Sequence, residues 1–405
     1  MADARQTLLA CYQAALRAVE GRGRVARWFA ESERAVPPHV VAVGKAAGAM
    51  LQGALDAGVG AQFRALAISK ADHLSATLCE VPGVSCLTGE HPVPGEGSLA
   101  AGEALLDFIA RTPPDEPMLF LISGGTSSLV EVLPQGVTLA RVAELNRWLL
   151  GSGLDIHAIN RVRRACSLIK GGGLLHYLQG RPVLVLLVSD VPGNDPAVIG
   201  SGPLVPAQEP GALPELPPEF AGLVHTPTVV ADAGDVEIHI IASLEDALAA
   251  AAQAGSEFGL AVTRHVAFLS GDPSAVAGQV LDELRDAPEG LHLWGGEVTP
   301  SLPPHPGRGG RAQQLALEFA QRIADRPGIY VLAAGTDGSD GATGDAGALV
   351  DGGSVARGRL GGFEAEDCLK RADAGRFLET SGDLIHTGPT GTNVMDVLLV
   401  LKCTP

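Results

Sequence analysis

The sequence predicts a two-domain α/β protein built on doubly wound parallel sheets, and three observations carry that reading. Apolar runs without alternation recur along the chain, as strands covered on both faces require; HVVAV at 39–43, PMLFLIS at 117–123, PVLVLLVSD at 182–190 and GIYVLAAG at 328–335 are the clearest. Most are followed by glycine-rich turns and then by helical periodicity, the rhythm of layered α/β folds. At 405 residues the chain is also longer than one hydrophobic core usually organises.

Taken in order, the elements support this. MADARQTLLACYQAALRAVEG reads as an amphipathic helix and lacks the apolar stretch of a cleavable signal. The strand at 39–43 runs into Gly44–Lys45, and RALAIS at 64–69 supplies the next strand. After 117–123 come Ser123, Gly124 and Gly125, with Thr126, Ser127 and Ser128 opening a predicted helix. The run at 182–190 ends on Ser189–Asp190. Seven prolines between Pro203 and Pro227 break the pattern, so the boundary is placed there, giving domains 1–225 and 226–405. EIHIIAS at 237–243, LHLW at 291–294 before Gly295–Gly296–Glu297, and the run ending at Gly335–Thr336–Asp337 are strands of the second domain. GRGGRAQQLALEFAQRI opens a long helix with Arg308 and Arg311 at its mouth. Two such domains are expected to leave a cleft between them, where ligands commonly bind.

Bulk properties exclude several function classes. A formal net charge of −17 argues against a general nucleic-acid or anionic-membrane surface. No apolar run approaches the ~18 residues that span a bilayer. The six cysteines (Cys11, Cys79, Cys86, Cys166, Cys368, Cys403) are scattered without a CxxC pair, and read as free thiols in a reducing cytoplasm.

The polar residues fall just after strands, where open parallel sheets bind ligands. Lys45 is a point charge suited to phosphate or carboxylate. Its turn is not a Walker A loop, because His39 stands where glycine is needed and Ala46 where Ser or Thr is needed. The 123–128 stretch offers N–H groups and hydroxyls to an anion, or else simply caps a helix. Gly307, Gly309 and Ala312 match the GxGxxA form of a dinucleotide fingerprint, but SLPPHP before them cannot be a strand. The glycine-rich LAAGTDGSDGATGDAGAL at 332–349 lacks calcium-loop spacing. Its glycines are expected to let backbone approach a ligand, and Asp337 to act as base or hold Mg²⁺ beside phosphates. Asp340 and Asp345 are read as supporting or turn-capping residues.

Together VGKAAGAM, TGEHPVPGEGS, ISGGTSSL, RRACSLIKGGGL, VSDVPGNDP with IGSGP, GGEVT, GRGGRAQQLAL, AAGTDGSDGATGDAGALVD and HTGPTGTNVMD resemble the class II glycerate kinases, the glycerate 2-kinases with a MOFRL C-terminal domain. The resemblance runs from about residue 5 to the end, in the same order. It implies an N-terminal Rossmann-like domain, a smaller C-terminal MOFRL-type domain, and ATP-dependent, Mg²⁺-assisted phosphorylation of D-glycerate at its 2-hydroxyl. It assigns catalysis to Lys45, Arg311 and Asp337. Where the family reads GGRNQE this chain has Ala312 and Gln314, which bears on substrate detail. Expected substrate or nucleotide contacts are Gly44, Ser123, Gly124, Gly125, Thr126, Ser127, Lys170, Asp190, Glu297, Thr392 and Asn393, with Glu90 and His91 as further candidates and Asp337 and Glu297 as metal ligands. The expected partners are glycerate and ATP alone, with no nucleic acid or membrane, in a monomer or homodimer. A hydroxypyruvate reductase, a kinase for a related short hydroxy acid and a non-catalytic binding protein are the competing readings.

Overall fold

The computed structural model describes residues 3–152, 154, 156–206, 213–225 and 234–404. It divides into two compact units, Gly21–Ile241, and Met1–Glu20 together with Ala242–Pro405. These bounds depart from the expected 1–225 and 226–405 at both ends. Helix Ala4–Val19 buries Leu8, Cys11 and Tyr12 within the second unit, and Arg5 ties it there through Asp351 at 2.5 Å and Asp383 at 3.0 Å. The proline-rich stretch is not a free linker where it is described. Its Phe220 and Leu223 pack with Leu145, Leu149, Ile159 and Val162 of the first unit. Residues 207–212 and 226–227 of that stretch lie outside the described residues.

The first unit holds β1 (His39–Val43), β2 (Arg64–Ser69), β3 (Val84–Thr88), β4 (Met118–Ile122), β5 (Val183–Val188) and β6 (Val236–Ala242), in the order β3-β2-β1-β4-β5-β6. The first five strands are parallel. Strands β1, β4 and β5 are buried along their whole length, which accounts for their unbroken apolar sequence. The strand order reverses between β1 and β4, where Val43 lies opposite Ile122. Loops leaving the carboxyl ends on either side of such a switch point diverge and leave a crevice. Those loops carry Lys45 and the 123–128 segment.

The second unit holds β7 (Val262–Gly271), β8 (Gly290–Val298), β9 (Ile329–Gly335), β10 (Gly347–Asp351), β11 (Leu384–Ile385) and β12 (Asp396–Lys402), in the order β11-β10-β9-β12-β8-β7. Only β7 and β8 pair in parallel; the other neighbours are antiparallel. The parallel pairing of the first sheet is therefore not repeated here. The glycine-rich loop returns the chain directly beside β9, so β10 must run the opposite way. Gly295, Gly296 and Glu297 also fall inside β8 and not in a turn after it. Helix Arg311–Arg322 covers the sheet with Leu315, Ala316, Phe319 and Ala320, packed on Val331, Ala333, Leu398 and Val400.

Cys79 and Cys86 form a disulfide, which corrects the reading of six free thiols. The turn between helix Ala76–Cys79 and β3 brings their Cα atoms to 5.6 Å. Cys11, Cys166, Cys368 and Cys403 are free. Cysteine usage thus no longer supports a reducing compartment. Among the described residues no helix is long and apolar enough to cross a membrane.

Candidate active site

In the first unit, Lys45 follows β1 and its backbone N–H donates to Gly124 O at 2.8 Å, tying the two loops of the switch point together. Gly44 sits at φ +123°, and a Cβ there would lie 2.2 Å from Ser123 Oγ and 2.5 Å from Ser123 O. No other residue permits this crossing. Ser69 Oγ donates to Gly44 O at 2.7 Å, and the backbone N–H of Ala46 donates to Ser123 Oγ at 3.0 Å. The position a Gly125 Cβ would take is 3.2 Å from the His91 ring and 3.3 Å from Lys45 Cγ. Lys45, Gly125 and His91 therefore converge.

Two expected contacts prove to be scaffold. Ser123 is fully buried as the acceptor for Ala46. The Thr126 hydroxyl turns inward, within reach of Val43 O at 3.0 Å and Ser123 O at 2.7 Å. Helix Thr126–Leu129 is a single turn, so the loop's shape comes from these bonds, not from a helix dipole. Ser127 remains facing a cavity of about 600 Å³, with Lys170 and Asp190 on its wall. Lys170 Nζ pairs with buried Glu131 at 2.5 Å, and Ser167 Oγ donates to the same carboxylate at 2.5 Å. Glu90 accepts from the backbone of Gly97 at 3.1 Å and Ser98 at 2.9 Å, so it organises the start of helix Glu96–Arg111.

In the second unit, Arg311 opens helix Arg311–Arg322 and is held by two carboxylates. Its Nε and Nη2 donate to Asp396 at 2.6 and 3.0 Å, and Nη2 also donates to Glu297 at 2.6 Å. The guanidinium fork expected to grip a substrate anion is thus closed on Asp396, leaving the Nη1 side for a ligand. Burial opposes the charge on Arg311, but the hydrogen bond and charge of Asp396, with Glu297 and Asp340, outweigh it and raise its pKa.

Asp337, buried at the end of β9, accepts at Oδ1 from the backbone N–H of Ser339 at 3.0 Å. The loop after it is packed against protein. Gly338 has φ +85°, and its Cβ would meet Gly388 O at 2.0 Å. A Cβ on Gly341 would come within 2.7 Å of Gly309 O. These glycines admit neighbouring backbone, not a ligand as expected. Thr336 Oγ1 donates to Met395 O at 2.7 Å and accepts from Val394 N at 2.8 Å, while Thr390 Oγ1 donates to Thr336 O at 2.5 Å. Thr392 and Asn393 are thereby buried in the segment clamped on the Asp337 turn. Among the described residues, Thr392 Oγ1 has no hydrogen-bond partner.

Asp340 and Asp345 are structural. Asp345 pairs with His386 at 2.7 Å and Arg308 at 3.2 Å. Asp340 caps the neighbouring helix, accepting from Ala312 N at 3.1 Å and Gln313 N at 2.8 Å. Gln314, the other departure from the family pattern, donates to Leu369 O at 3.1 Å. Burial, then the charge of Asp396, push Asp340 up to about 7 from 3.8, against those two N–H groups and Arg311. Its folded pKa is above its unfolded value, so its contribution to stability is full below about 4 and lost as pH rises through about 7. Urea denaturation of the ligand-free protein in EDTA is expected to show that decline between these pH values. Asp340→Asn should flatten it, and an unchanged slope would refute the assignment.

Sequence reasoning missed two residues that shape this site. Asp396 reaches Arg311 from 85 positions away. Tyr12, fully buried on the N-terminal helix, donates its hydroxyl to Gly335 O at 2.5 Å, directly before the Asp337 turn. Burial first, then the charges of Asp337, Asp396 and Asp340, raise its pKa and keep it a phenol.

Two family models match this arrangement: a domain of unknown function (DUF4147) over residues 7–213, and the MOFRL family over residues 290–396. A D-glycerate 2-kinase of Thermotoga maritima is 31% identical over 382 residues, covering 89% of this chain and 90% of that protein. A protein of Agrobacterium vitis called a putative hydroxypyruvate reductase is 34% identical over 98% of this chain and 94% of its own length. The crystal structure of a glycerate kinase from Thermotoga maritima superposes with a TM-score of 0.81 at 28% identity, covering 98% of this chain and 99% of that one. A two-domain α/β kinase is the class so defined. The chain belongs to the MOFRL-containing glycerate 2-kinase family.

Proposed function

We propose that the protein transfers the γ-phosphoryl group of ATP to the 2-hydroxyl of D-glycerate, giving 2-phosphoglycerate and ADP. Two observations support this reading, one within each unit. Lys45 stands beside Gly125 at the switch point of one sheet, and a buried Asp337 stands next to the Arg311–Asp396–Glu297 network in the other unit. Phosphoryl transfer needs positioning, a cation for the moving group and a base near the acceptor.

In the transfer, the bond between the γ-phosphorus and the ADP oxygen breaks while the bond to the glycerate 2-oxygen forms. Asp337 accepts the hydroxyl proton, and Lys45 neutralises charge on the phosphoryl oxygens. Arg311, fixed by Asp396, presents its remaining N–H groups to the glycerate carboxylate. Among the described residues no three His, Cys, Asp or Glu side chains converge as a metal cage. Mg²⁺ bound with nucleotide takes most ligands from phosphates and water and needs only one or two carboxylates, which Asp337 fits. Glu297 fits less well, because it is committed to Arg311. When bound, the ion supplies further charge neutralisation.

The reductase reading lacks support in the fold. The Gly307–Gly309–Ala312 match follows an irregular segment at 299–310 and not a strand, so it cannot form the strand–turn–helix of a dinucleotide site. A coupled ADP-release assay over a panel of short hydroxy acids tests the proposal. D-glycerate is expected to give the highest kcat/KM. NADH oxidation with hydroxypyruvate at a comparable rate would reverse it.

A further inference from the structure

The cysteines of this chain divide into a bonded pair that meets solvent and thiols that mostly do not. Cys79 is exposed and Cys86 half-buried, so their disulfide is open to reagents. Cys11, Cys166 and Cys368 are buried, and burial pushes the thiols of Cys11 and Cys166 up to about 11. Burial also raises the thiols of Cys368 and Cys403 above their ordinary value. Thiols held protonated in this way are inert. Exchange chemistry is therefore directed to the Cys79–Cys86 bond.

What that bond holds is the wall behind Lys45. Cys79 ends helix Ala76–Cys79, a single turn in which Leu78 is the one buried residue. One turn does not persist on its own backbone bonds. Cys86 sits within β3, held by the ladder to β2, where it lies opposite Ala67. The disulfide thus fastens a weak element to a firm one. Just before the helix, His73 Nδ1 donates to Lys45 O at 2.8 Å. A Cβ on Gly48 would lie 2.7 Å from His73 O and 3.6 Å from Leu78 Cδ2, so this segment is seated on the turn that carries Lys45. On the other side, β3 leads into His91, whose ring and Lys45 Cγ flank the same point beside Gly125.

We propose that Cys79–Cys86 is a thiol-exchange site through which a dithiol reductant lowers turnover: opening the bond loosens residues 73–79 and removes support from Lys45. The effect on turnover rests on the kinase reading; the exchange does not. A thiolate of the dithiol attacks the exposed Cys79 sulfur, the bond between the two cysteine sulfurs breaks, and Cys86 leaves with the electron pair and takes up a proton. The reagent's second thiolate then attacks the mixed disulfide and releases Cys79, which is protonated in turn. The cystine is reduced by two electrons, the dithiol is oxidised to its disulfide, and the dithiol's own protons end on the two cysteines.

The test compares the oxidised full chain with the same chain after dithiothreitol. Thiol titration under denaturing conditions is expected to rise from the four free cysteines to all six, with the new thiols on peptides containing Cys79 and Cys86. The kcat with D-glycerate should fall by about threefold to tenfold, the scale of one lost hydrogen bond, while both KM values stay within about twofold. Reoxidation should restore it. Amide hydrogen exchange should quicken at residues 44–48 and 71–79 on reduction. Cys79→Ser should begin at the reduced level and ignore dithiothreitol, and the wild-type comparison stands even if that variant fails to fold. An opened bond with unchanged kcat overturns the inference even if Tm falls, because a purely structural staple would behave in that way. A bond that resists dithiothreitol in the folded chain overturns it as well. If neither form phosphorylates a hydroxy acid, the kinase reading falls and exchange at 44–48 decides alone: quickened exchange supports the switch, and unchanged exchange refutes it.

Discussion

Asp337→Asn is expected to lower kcat by roughly two orders of magnitude or more with little change in melting temperature. The substitution is nearly isosteric, and an asparagine Oδ1 can still accept from Ser339 N, the 3.0 Å bond that shapes the turn. The fixed surroundings of the turn do not depend on the charge: Gly338 packs on Gly388, and Thr336 is bonded to Met395 and Val394. What is lost is an anionic oxygen able to accept the acceptor's proton or to share a metal with phosphate. The loss should therefore appear in kcat and not in folding. Steady-state kinetics beside a thermal melt decides it. A near-wild-type kcat would remove Asp337 from the chemistry and leave the loop a purely structural turn.

Lys45→Met should cost about 10²- to 10³-fold in kcat, the range found when a preorganised group is removed from developing charge. Methionine keeps the length and most of the apolar contact of the lysine stem but carries no charge. The loop itself should persist. It is set by the backbone bond from Lys45 N to Gly124 O, by His73 Nδ1 against Lys45 O at 2.8 Å and by the Gly44 crossing over Ser123. A fall in kcat with the melting temperature preserved supports a direct role. If both fall together, Lys45 acts through the architecture of the switch point and not on the phosphoryl group.

The first sheet was legible because burial on both faces leaves a plain signature. HVVAV, MLFLI and VLVLLV are unbroken apolar runs, and each is a strand buried from end to end. Lys45, Ser123 and Asp190 could then be placed at carboxyl ends. The second sheet was less legible. Strand β3 of the first sheet and β7 and β10 to β12 of the second were not anticipated. Strands β3 and β7 are largely unburied and β11 is two residues long, whereas β10 and β12 are buried apolar runs that the reading passed over. The glycine-rich loop announced a tight turn but not its purpose. Glycine is needed equally where backbone meets a ligand and where backbone meets backbone, and here Gly338 and Gly341 meet backbone. Asp396 closes the HTGPTGTNVMD motif, but nothing local marks its carboxylate as the partner of Arg311, and Tyr12 had no local signal at all. Their importance comes from partners 85 and 323 positions away, which only the folded topology supplies. The N-terminal helix shows the same limit: its amphipathic pattern was plain, but not that its apolar face completes the second unit.

The account rests on phosphoryl transfer from ATP to a defined hydroxyl, and ³¹P NMR of the reaction with D-glycerate, ATP and Mg²⁺ measures this directly. It predicts that the γ-phosphate signal of ATP is replaced by that of 2-phosphoglycerate, identified by its proton coupling, with ADP in equal amount. Phosphate on the 3-oxygen, or no phosphorylated glycerate at all while added NADH is consumed with hydroxypyruvate, would contradict it.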